Sequence, residues 1–309
     1  MLKIAVIGTG MHCRDHHLPS LKRLAAERPG ELELSAVCDI DENRARQSAE
    51  EFGFARAYMD MEQMLAEVQP GACLAITPIA VTRDCVLRLL ELGISTLIEK
   101  PPGASVEQAR EIVAVAERAG VVTMVSMNRR YDPVLSAGLA WIGDRKPRYI
   151  RGSMVRINRR EPDFHQSTGI HALDCLRHLG GDITGVTRRT MSGGDADWLA
   201  MDLVFDSGAQ GTLELLPTSG IYNEEYELLG DGWRVCAHSA WFGDGRLICC
   251  EGNEVVVDET PAAGEPECLR SGSHAETEAF VDAVLGRRPP YPTPPQVLQR
   301  LEIGHGETG

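Results

Sequence analysis

Two kinds of chemistry are possible in residues 7–21, which read IGTGMHCRDHHLPSL. Gly8 and Gly10 have the spacing of a tight turn that presents backbone N–H groups and a helix N-terminus to a phosphate. Four side chains in the same stretch belong to types that bind soft metal ions: His12, Cys13, His16 and His17. The neighbouring sequence decides between the two interpretations.

The phosphate interpretation has the matching context. KIAVIG before the turn is typical of a buried strand, a helix is predicted over 11–28, and VCD ends the next strand at Asp39. An acid in that place holds the ribose hydroxyls of a dinucleotide, and Thr9 and Met11 complete the turn. Cys13 replaces the usual third glycine or alanine and is small enough to pack there. The sequence therefore predicts a dinucleotide site.

The metal interpretation needs three or four converging ligands. His12 and His16 would share a helical face at i,i+4, whereas Cys13 lies on another flank. The turn that presents them is also already committed to phosphate. We therefore expect no metal site here, with His12 and His17 on the polar surface of the helix or His16 packed under the turn.

The elements around this turn predict two domains. Up to residue 126, continuous apolar runs alternate with helix-period segments, including helices over 42–52, 83–92 and 106–119. This βαβαβαβαβ pattern predicts a doubly wound parallel sheet, because apolar runs this continuous are buried on both faces. We assign residues 1–126 to a Rossmann dinucleotide-binding domain of the α/β class.

After Tyr131 the strands alternate apolar and polar residues, with Gly-Asp and Asp-Gly turns between them. That pattern predicts an α+β domain on an open, mostly antiparallel sheet, with helices over 168–179 and 274–285. We assign residues 127–309 to this second domain. The proline-rich stretch 287–296 is expected to be a stiff surface connector, and 304–309 to fray.

Composition excludes several classes of partner. The formal net charge is −14, from 45 acidic and 31 basic residues, which opposes binding to nucleic acid or an anionic membrane surface. Nine cysteines without paired spacing argue against a disulfide framework, so we expect reduced thiols. We find no targeting leader and no apolar run near the ~20 residues that span a bilayer. A cytoplasmic protein with a small-molecule substrate is expected.

Four further segments occur in a characteristic order: AITP (75–78), LIEKPPG (97–103), MNRRYDP (127–133) and TGIHALDCLRHLGGD (168–182). With the glycine turn, they make essentially the whole chain resemble the glucose-fructose oxidoreductase, inositol dehydrogenase and MocA family of NAD(P)-dependent oxidoreductases. The tripeptide Glu99-Lys100-Pro101 is the most specific element of this resemblance. The family implies a Rossmann domain followed by an open-sheet domain whose sheets pair face to face, hence a homodimer or homotetramer.

The resemblance also assigns cofactor residues. Gly8, Thr9, Gly10 and Met11 match the pyrophosphate turn, Asp39 the ribose acid, Thr77 and Pro78 the loop along the cofactor, and Glu99 with Lys100 the nicotinamide side. Asn128 matches a cofactor contact, and Arg129 a substrate contact, in the segment where the two domains meet; a charged hinge is the alternative interpretation. Asp39 and the nearby Asp41 favour NAD over NADP, although Arg44 could reach the adenosine edge.

The resemblance implies that Lys100 and His171 carry the proton chemistry. In the family an aspartate stands four residues before the histidine, but this chain has Ser167. Further substrate candidates near His171 are Asp163, His165, Ser167 itself and Asp174. Two other departures follow Pro78, where Ile79 and Thr82 replace the usual asparagine and histidine.

The sequence therefore predicts an NAD-dependent oxidoreductase that transfers a hydride between nicotinamide and a secondary alcohol or ketone of a sugar, cyclitol or related polyol. His171 would accept the hydroxyl proton while the Lys100 ammonium stabilises charge on the oxygen. Two alternatives stay open. One is a dinucleotide-binding sensor or subunit that has lost catalysis, as the substitutions at Ser167, Ile79 and Thr82 suggest. The other is a reductase of a non-sugar substrate, such as an imine or a tetrapyrrole bridge.

Overall fold

The computed structural model describes residues 1–305 and divides the chain into two compact units. The first unit comprises Met1–Ser126 and Ser273–Gln299, and the second comprises Met127–Gly272 with the described residues from 300 on. Each unit has its own sheet and its own hydrophobic core. The last four residues of 304–309, which we expected to fray, lie outside the described residues.

The first unit is built on a six-stranded parallel sheet. Its strands are β1 (Leu2–Ile7), β2 (Leu32–Cys38), β3 (Arg56–Tyr58), β4 (Ala72–Ala75), β5 (Ser95–Ile98) and β6 (Thr123–Val125). The order across the sheet is β3-β2-β1-β4-β5-β6, and β4 and β5 are buried along their whole length. This is the strand order of a dinucleotide-binding Rossmann sheet, so the predicted doubly wound fold is confirmed.

The helices of this unit follow the strands as crossovers. They are α1 (Leu18–Glu27), α2 (Glu42–Phe52), α3 (Met61–Val68), α4 (Ile79–Glu91) and α5 (Val106–Ala119). The predictions over 42–52 and 106–119 match α2 and α5, whereas α4 begins four residues earlier than predicted. β3 and α3 were missed because three and eight residues are too short to give a clear period.

The helix predicted over 11–28 has two parts. A π-helix runs over Cys13–His17 and passes directly into α1. A π-helix has i→i+5 hydrogen bonds, so it changes which side chains share a face. The rings of His12 and His16 lie 4.7 Å apart, as their i,i+4 spacing predicts, and the His17 ring lies 5.5 Å from that of His12.

The second unit contains an eight-stranded sheet in the order β14-β13-β12-β11-β7-β10-β9-β8. The strands are β7 (Tyr149–Val155), β8 (Ile183–Met191), β9 (Trp198–Phe205), β10 (Gln210–Leu216), β11 (Asn223–Gly230), β12 (Trp233–His238), β13 (Arg246–Glu251) and β14 (Glu254–Glu259). β7 and β10 pair in parallel, and the other neighbours are antiparallel. The predicted mostly antiparallel sheet is confirmed. Strand β8 was missed because most of it is exposed and polar.

Four helices of the second unit precede or cover this sheet: α6 (Pro133–Ile142), α7 (Phe164–Ser167), α8 (Ile170–Gly180) and α9 (Glu267–Arg270). Helix α8 packs on β7, where Gly152 leaves room for the side chain of Leu176. The helix predicted over 168–179 corresponds to α8. Helix α6 was missed because its sequence, PVLSAGLAWI, is apolar almost throughout and carries no clear amphipathic period.

Two late helices complete the described chain, α10 (Ser273–Val284) and α11 (Pro294–His305). Although we assigned all residues after 126 to the second domain, α10 packs against α1 of the first unit. Arg28 at the end of α1 donates to Asp282 at 2.6 Å and also pairs with Glu278. The prolines predicted to form a connector include Pro294 at the first position of α11, where a missing N–H costs nothing.

Two predictions concerned disulfide bonds and membrane-spanning segments. All nine cysteines are free thiols, so no disulfide joins any pair of them. Over residues 1–305, we find no helix with the length and hydrophobicity that crossing a membrane requires.

Candidate active site

A cleft of about 890 Å³ lies in the first unit, at the carboxyl ends of β1, β2, β4 and β5. This edge is where open α/β sheets bind their ligands. The lining includes most of the predicted cofactor residues, namely Gly8, Gly10, Met11, Asp39, Thr77, Pro78 and Glu99. The structure thus brings residues from four separate loops to one cavity.

The glycine turn is fixed by a requirement at Gly8. Its φ is +88°, and an added Cβ would stand 2.1 Å from the carbonyl oxygen of Ile76. The Gly8 N–H donates to the carbonyl of Cys38 at 2.8 Å, which ties the end of β1 to the end of β2. Gly10 has open space where a side chain would begin, so the backbone there can be approached closely by a ligand.

Asp39 accepts four hydrogen bonds beside the glycine turn. Its Oδ2 accepts hydrogen bonds from the backbone N–H of Thr9 at 2.8 Å and from the Thr9 hydroxyl at 3.0 Å. Its Oδ1 accepts from the N–H of Asp41 at 2.9 Å and from the Arg44 guanidinium at 2.7 Å. Burial alone would raise the pKa of Asp39, but these hydrogen bonds outweigh burial and hold the pKa below its usual value.

Four apolar side chains of the cleft are strongly exposed: Met11 (80%), Ile40 (89%), Met59 (54%) and Val81 (51%). Apolar groups gathered at one cavity are stabilised by a ligand that covers them, and the flat face of a nucleotide base is such a ligand. Ile40, Met59 and Val81 were not predicted from the sequence, because only polar contacts to a cofactor were considered. The available signal was Ile40 itself, an isoleucine directly after Asp39 and outside any strand or helix.

The loop after β4 is held by hydroxyl groups. Thr77 and Thr82 place their Oγ1 atoms 3.0 Å apart, and the Thr82 hydroxyl also lies 3.1 Å from the carbonyl of Pro78. Thr82 is buried, so the residue that departs from the family pattern helps to fix the loop along the cleft. Ile79, the other departure, is exposed at the start of α4.

Glu99 and Lys100 follow the last residue of β5. The N–H of Glu99 donates to the carbonyl of Ala75 at 3.0 Å, which places its side chain at the sheet edge. Its carboxylate lies 3.6 Å from Nε2 of His12, and both residues line the cleft. Lys100 is half-buried, and its peptide bond to Pro101 is cis.

The histidines near the turn differ from the sequence expectation. His17 was expected on a polar surface, but it is fully buried because the π-helix turns it inward. Burial, aided by neighbouring His16, lowers the pKa of His17 to about 3, so the ring is neutral at physiological pH. Cys13 is also fully buried and packs where the third glycine or alanine of the motif would stand.

Two predicted cleft residues belong to the second unit and make contacts within it. The Asn128 amide donates to the carbonyl of Ser271 at 2.8 Å and accepts from the Arg129 guanidinium at 3.1 Å. Arg129 is buried, pairs with Glu224 at 3.2 Å, and stacks 3.8 Å from the Trp241 ring centre. Both side chains therefore help to build the second unit.

The other substrate candidates lie around α7 and α8. Asp163 is exposed before α7, and its carbonyl accepts from the N–H of Ser167 at 2.8 Å. His165 is half-buried, and burial lowers its pKa. His171 is buried in the first turn of α8, with its N–H donating to the carbonyl of Thr168 at 3.2 Å. These candidates are close to one another in the sequence, and all of them lie in the segment over 163–174.

Asp174 has a buried cationic partner. Both of its carboxylate oxygens accept from Arg130, at 2.6 and 2.8 Å, and the side chains of both residues are almost completely buried. A bidentate buried pair commits both oxygens to a structural contact. Asp174 therefore bonds to Arg130, a partner that the sequence analysis did not anticipate.

The chain is similar in sequence to known oxidoreductases. Residues 2–127 match an oxidoreductase family described by its NAD-binding Rossmann fold. The scyllo-inositol 2-dehydrogenase (NAD(+)) of Bacillus subtilis is 25% identical, over 99% of this chain and 93% of its own. The D-apiose dehydrogenase of Paraburkholderia graminis is 32% identical, over 61% of this chain and 52% of its own.

Solved structures agree with the fold over both units. A dehydrogenase from Chromobacterium violaceum superimposes with a TM-score of 0.87 at 20% identity, covering 99% of this chain and 93% of its own. Levoglucosan dehydrogenase, in a complex with NADH and levoglucosan, gives a TM-score of 0.81 at 17% identity, covering 98% and 95%. Residues 2–127 therefore match the NAD-binding Rossmann domain of the glucose-fructose oxidoreductase, inositol dehydrogenase and MocA family that the sequence resembles.

Proposed function

We propose that the protein is an NAD-dependent dehydrogenase that acts on a secondary alcohol or ketone of a sugar, cyclitol or related polyol. The cleft of the first unit carries the proposal, because it combines a turn that only glycine fits, a ribose acid and uncovered apolar walls. The substrate class is supported by relatives named as dehydrogenases of scyllo-inositol and D-apiose.

In this proposal NAD, when bound, supplies the hydride acceptor. The imidazole of His171 would accept the O–H proton of the substrate carbinol. The Lys100 ammonium would stabilise the negative charge that grows on the substrate oxygen as the proton leaves. In the reduction of a ketone, His171 would return the proton to that oxygen. The first domain would bind the cofactor and the second would supply His171 and contact the substrate.

Ser167 separates this mechanism from the usual form of the family. A serine hydroxyl cannot add negative charge next to His171, so the histidine has to work as a base without the family carboxylate at that position. Asp174, three residues after His171 on α8, also serves as the carboxylate partner of buried Arg130. Ser167→Asp is therefore an informative variant: if the serine is a loss, the variant has higher turnover than the natural chain.

The test is turnover on a panel of cyclitols, aldoses and glycosides with NAD+, followed by nicotinamide absorbance. Lys100→Ala and His171→Ala serve as inactive controls. Binding of NADH without turnover of any compound in either direction would instead favour the sensor or subunit. Turnover confined to imines or tetrapyrroles would favour the non-sugar reductase.

Two finer parts of the proposal depend on the sequence and the family resemblance. They are a cytoplasmic location and a homodimer or homotetramer formed through the sheet of the second unit. Light scattering coupled to gel filtration tests the second part, since a monomer at micromolar concentration would contradict it.

A further inference from the structure

Three side chains of metal-binding type meet beside the cleft of the first unit. His12 stands just before the π-helix, His17 ends it, and Glu99 follows β5. Their potential ligand atoms all lie within 4.8 Å of one another, and Nε2 of His12 is 3.6 Å from the Glu99 carboxylate. We refer to these three residues as the His-Glu cluster.

The π-helix creates this cluster. In a regular helix, residues four apart share a face, which would bring His12 over His16. The i→i+5 geometry of the π-helix also brings residues five apart together, so that the His12 ring lies 4.7 Å from the His16 ring and 5.5 Å, edge-on, from the His17 ring. Single-turn π-helices inside α-helices are often found at functional sites.

One tautomer of His17 fits its surroundings. The Thr277 hydroxyl donates its only proton to the carbonyl of Ser273 at 2.8 Å, and it also lies 3.5 Å from Nδ1 of His17. With the hydrogen on Nδ1, His17 faces this hydroxyl as a donor. The lone pair of the neutral ring is then on Nε2. An imidazole that donates through one nitrogen and binds a metal through the other is the usual arrangement at metal sites.

Nε2 of His17 is buried and has no hydrogen-bond partner among residues 1–305. A buried acceptor without a partner costs about 1–3 kcal/mol, so its presence in a folded chain calls for a ligand. A ring nitrogen of His17 lies within 4.8 Å of the other two potential ligand atoms, one of which belongs to a carboxylate. A cation placed among the three side chains would provide a partner for the lone pair of His17.

We propose that His12, His17 and Glu99 bind a divalent metal ion of the zinc type. Two imidazole nitrogens and one carboxylate oxygen form a donor set that zinc uses when a fourth position stays open. Metal–ligand distances near 2.0–2.2 Å put the ligand atoms of a tetrahedral site about 3.3–3.6 Å apart. The His12–Glu99 distance already meets this, and His12, which is partly exposed, can move to close the rest.

This proposal revises the expectation that no metal binds near the turn. The sequence analysis counted ligands within one helix and found no converging third ligand, whereas the structure supplies Glu99 from the end of β5. Because His12 and Glu99 line the cleft, the open position would be reached from the cleft. The proposal does not depend on dehydrogenase activity, since the metal is measured by binding.

The test uses the full chain, purified without an affinity tag and stripped with a chelator. Binding of Zn²⁺ is measured by calorimetry and elemental analysis, and binding of Co²⁺ by the visible absorption of a four-coordinate ion. We expect one ion per chain. His12→Asn, His17→Gln and Glu99→Gln should each weaken Zn²⁺ binding at least tenfold. If the buried His17→Gln variant does not fold, His12→Asn is the deciding variant, because His12 is partly exposed.

The chain offers a matched control. Glu225, Cys236 and His238 on β11 and β12 form another group of possible ligands within 4.8 Å of one another. Cys236→Ser should leave Zn²⁺ binding unchanged if the His-Glu cluster is the site. No binding to the natural chain, or loss of binding in Cys236→Ser with retention in His12→Asn, would overturn the proposal.

Discussion

Arg44 donates to Asp39, the residue expected to bind the cofactor ribose, and we predict that the two donors compete. A carboxylate accepts about four hydrogen bonds, and in this structure Asp39 accepts four. A ribose hydroxyl can donate to Asp39 only if one donor leaves. The contacts from Thr9 and from the N–H of Asp41 are built into the turn, whereas Arg44 is half-exposed and can move away.

Removal of Arg44 should therefore change the affinities for the two cofactors in opposite directions. An exposed ion pair is weak, and without it a ribose hydroxyl reaches Asp39 unopposed, so Arg44→Ala should tighten NADH binding about 2–5-fold. For NADPH, Arg44 is placed to receive the 2′-phosphate next to Asp39. Losing this charge-assisted contact should weaken NADPH binding at least about tenfold. The natural chain should itself prefer NADH.

Fluorescence titration of both reduced cofactors at one fixed ionic strength measures these changes. Arg46→Ala is the matched control, because Arg46 lies on the same helix, is more exposed and pairs with Glu42. That variant removes the same charge and should alter neither affinity by more than about twofold. If Arg44→Ala weakens NADH and NADPH equally, Arg44 contacts a part that both share, such as adenine, and the displacement argument is wrong.

Three further results are expected. His171→Ala should lower turnover about 10²–10⁴-fold and leave the Kd for NADH unchanged; full turnover would remove the proposed base. Asp174→Asn should lower the free energy of unfolding in urea by about 3–5 kcal/mol, because it leaves Arg130 buried without its carboxylate, whereas exposed Asp202→Asn should cost under about 1 kcal/mol; equal losses would contradict this. Burial lowers the pKa of His178 to about 4. Below pH ~6.5 the unfolded chain therefore binds one more proton than the folded chain, and the free energy of unfolding decreases as the pH is lowered from 7 to 5. His178→Gln should spare about 2 kcal/mol of the loss between pH 7 and 5, and an unchanged loss would refute the assignment.

The parts of the fold that were predictable carry local stop and start signals. Helix α2 begins where Asp41 accepts from the N–H of Arg44 and ends at Gly53 with φ +82°, and α5 has Ser105 and Gly120 in the same roles. Such signals lie within a few residues of the element they bound. By contrast, the assignment of α10 to the first unit depends on packing against α1, which no local pattern encodes.

The cofactor site was predictable to a similar extent. Gly8 and Asp39 follow from their places at the ends of β1 and β2, since a parallel sheet brings those ends together. The partners of the charged residues did not follow. Arg130 and Asp174 are 44 positions apart and meet only through the tertiary fold, so Asp174 looked available to His171 on a helix drawn in isolation.

The π-helix limits what a helical pattern can predict at the most informative segment of the chain. Residues 11–28 fit a regular helix, and in that register His17 falls on the surface. One i→i+5 turn rotates everything after it relative to the residues before it, yet the amino acids are the same in both registers. The structure places His17 inside, with its Nδ1 3.5 Å from the Thr277 hydroxyl and a ring nitrogen within 4.8 Å of ligand atoms of His12 and Glu99. The backbone hydrogen-bond register of this segment therefore decides whether His17 lies in solvent or beside His12 and Glu99. Zn²⁺ binding by His12→Asn tests whether the second arrangement binds a metal ion.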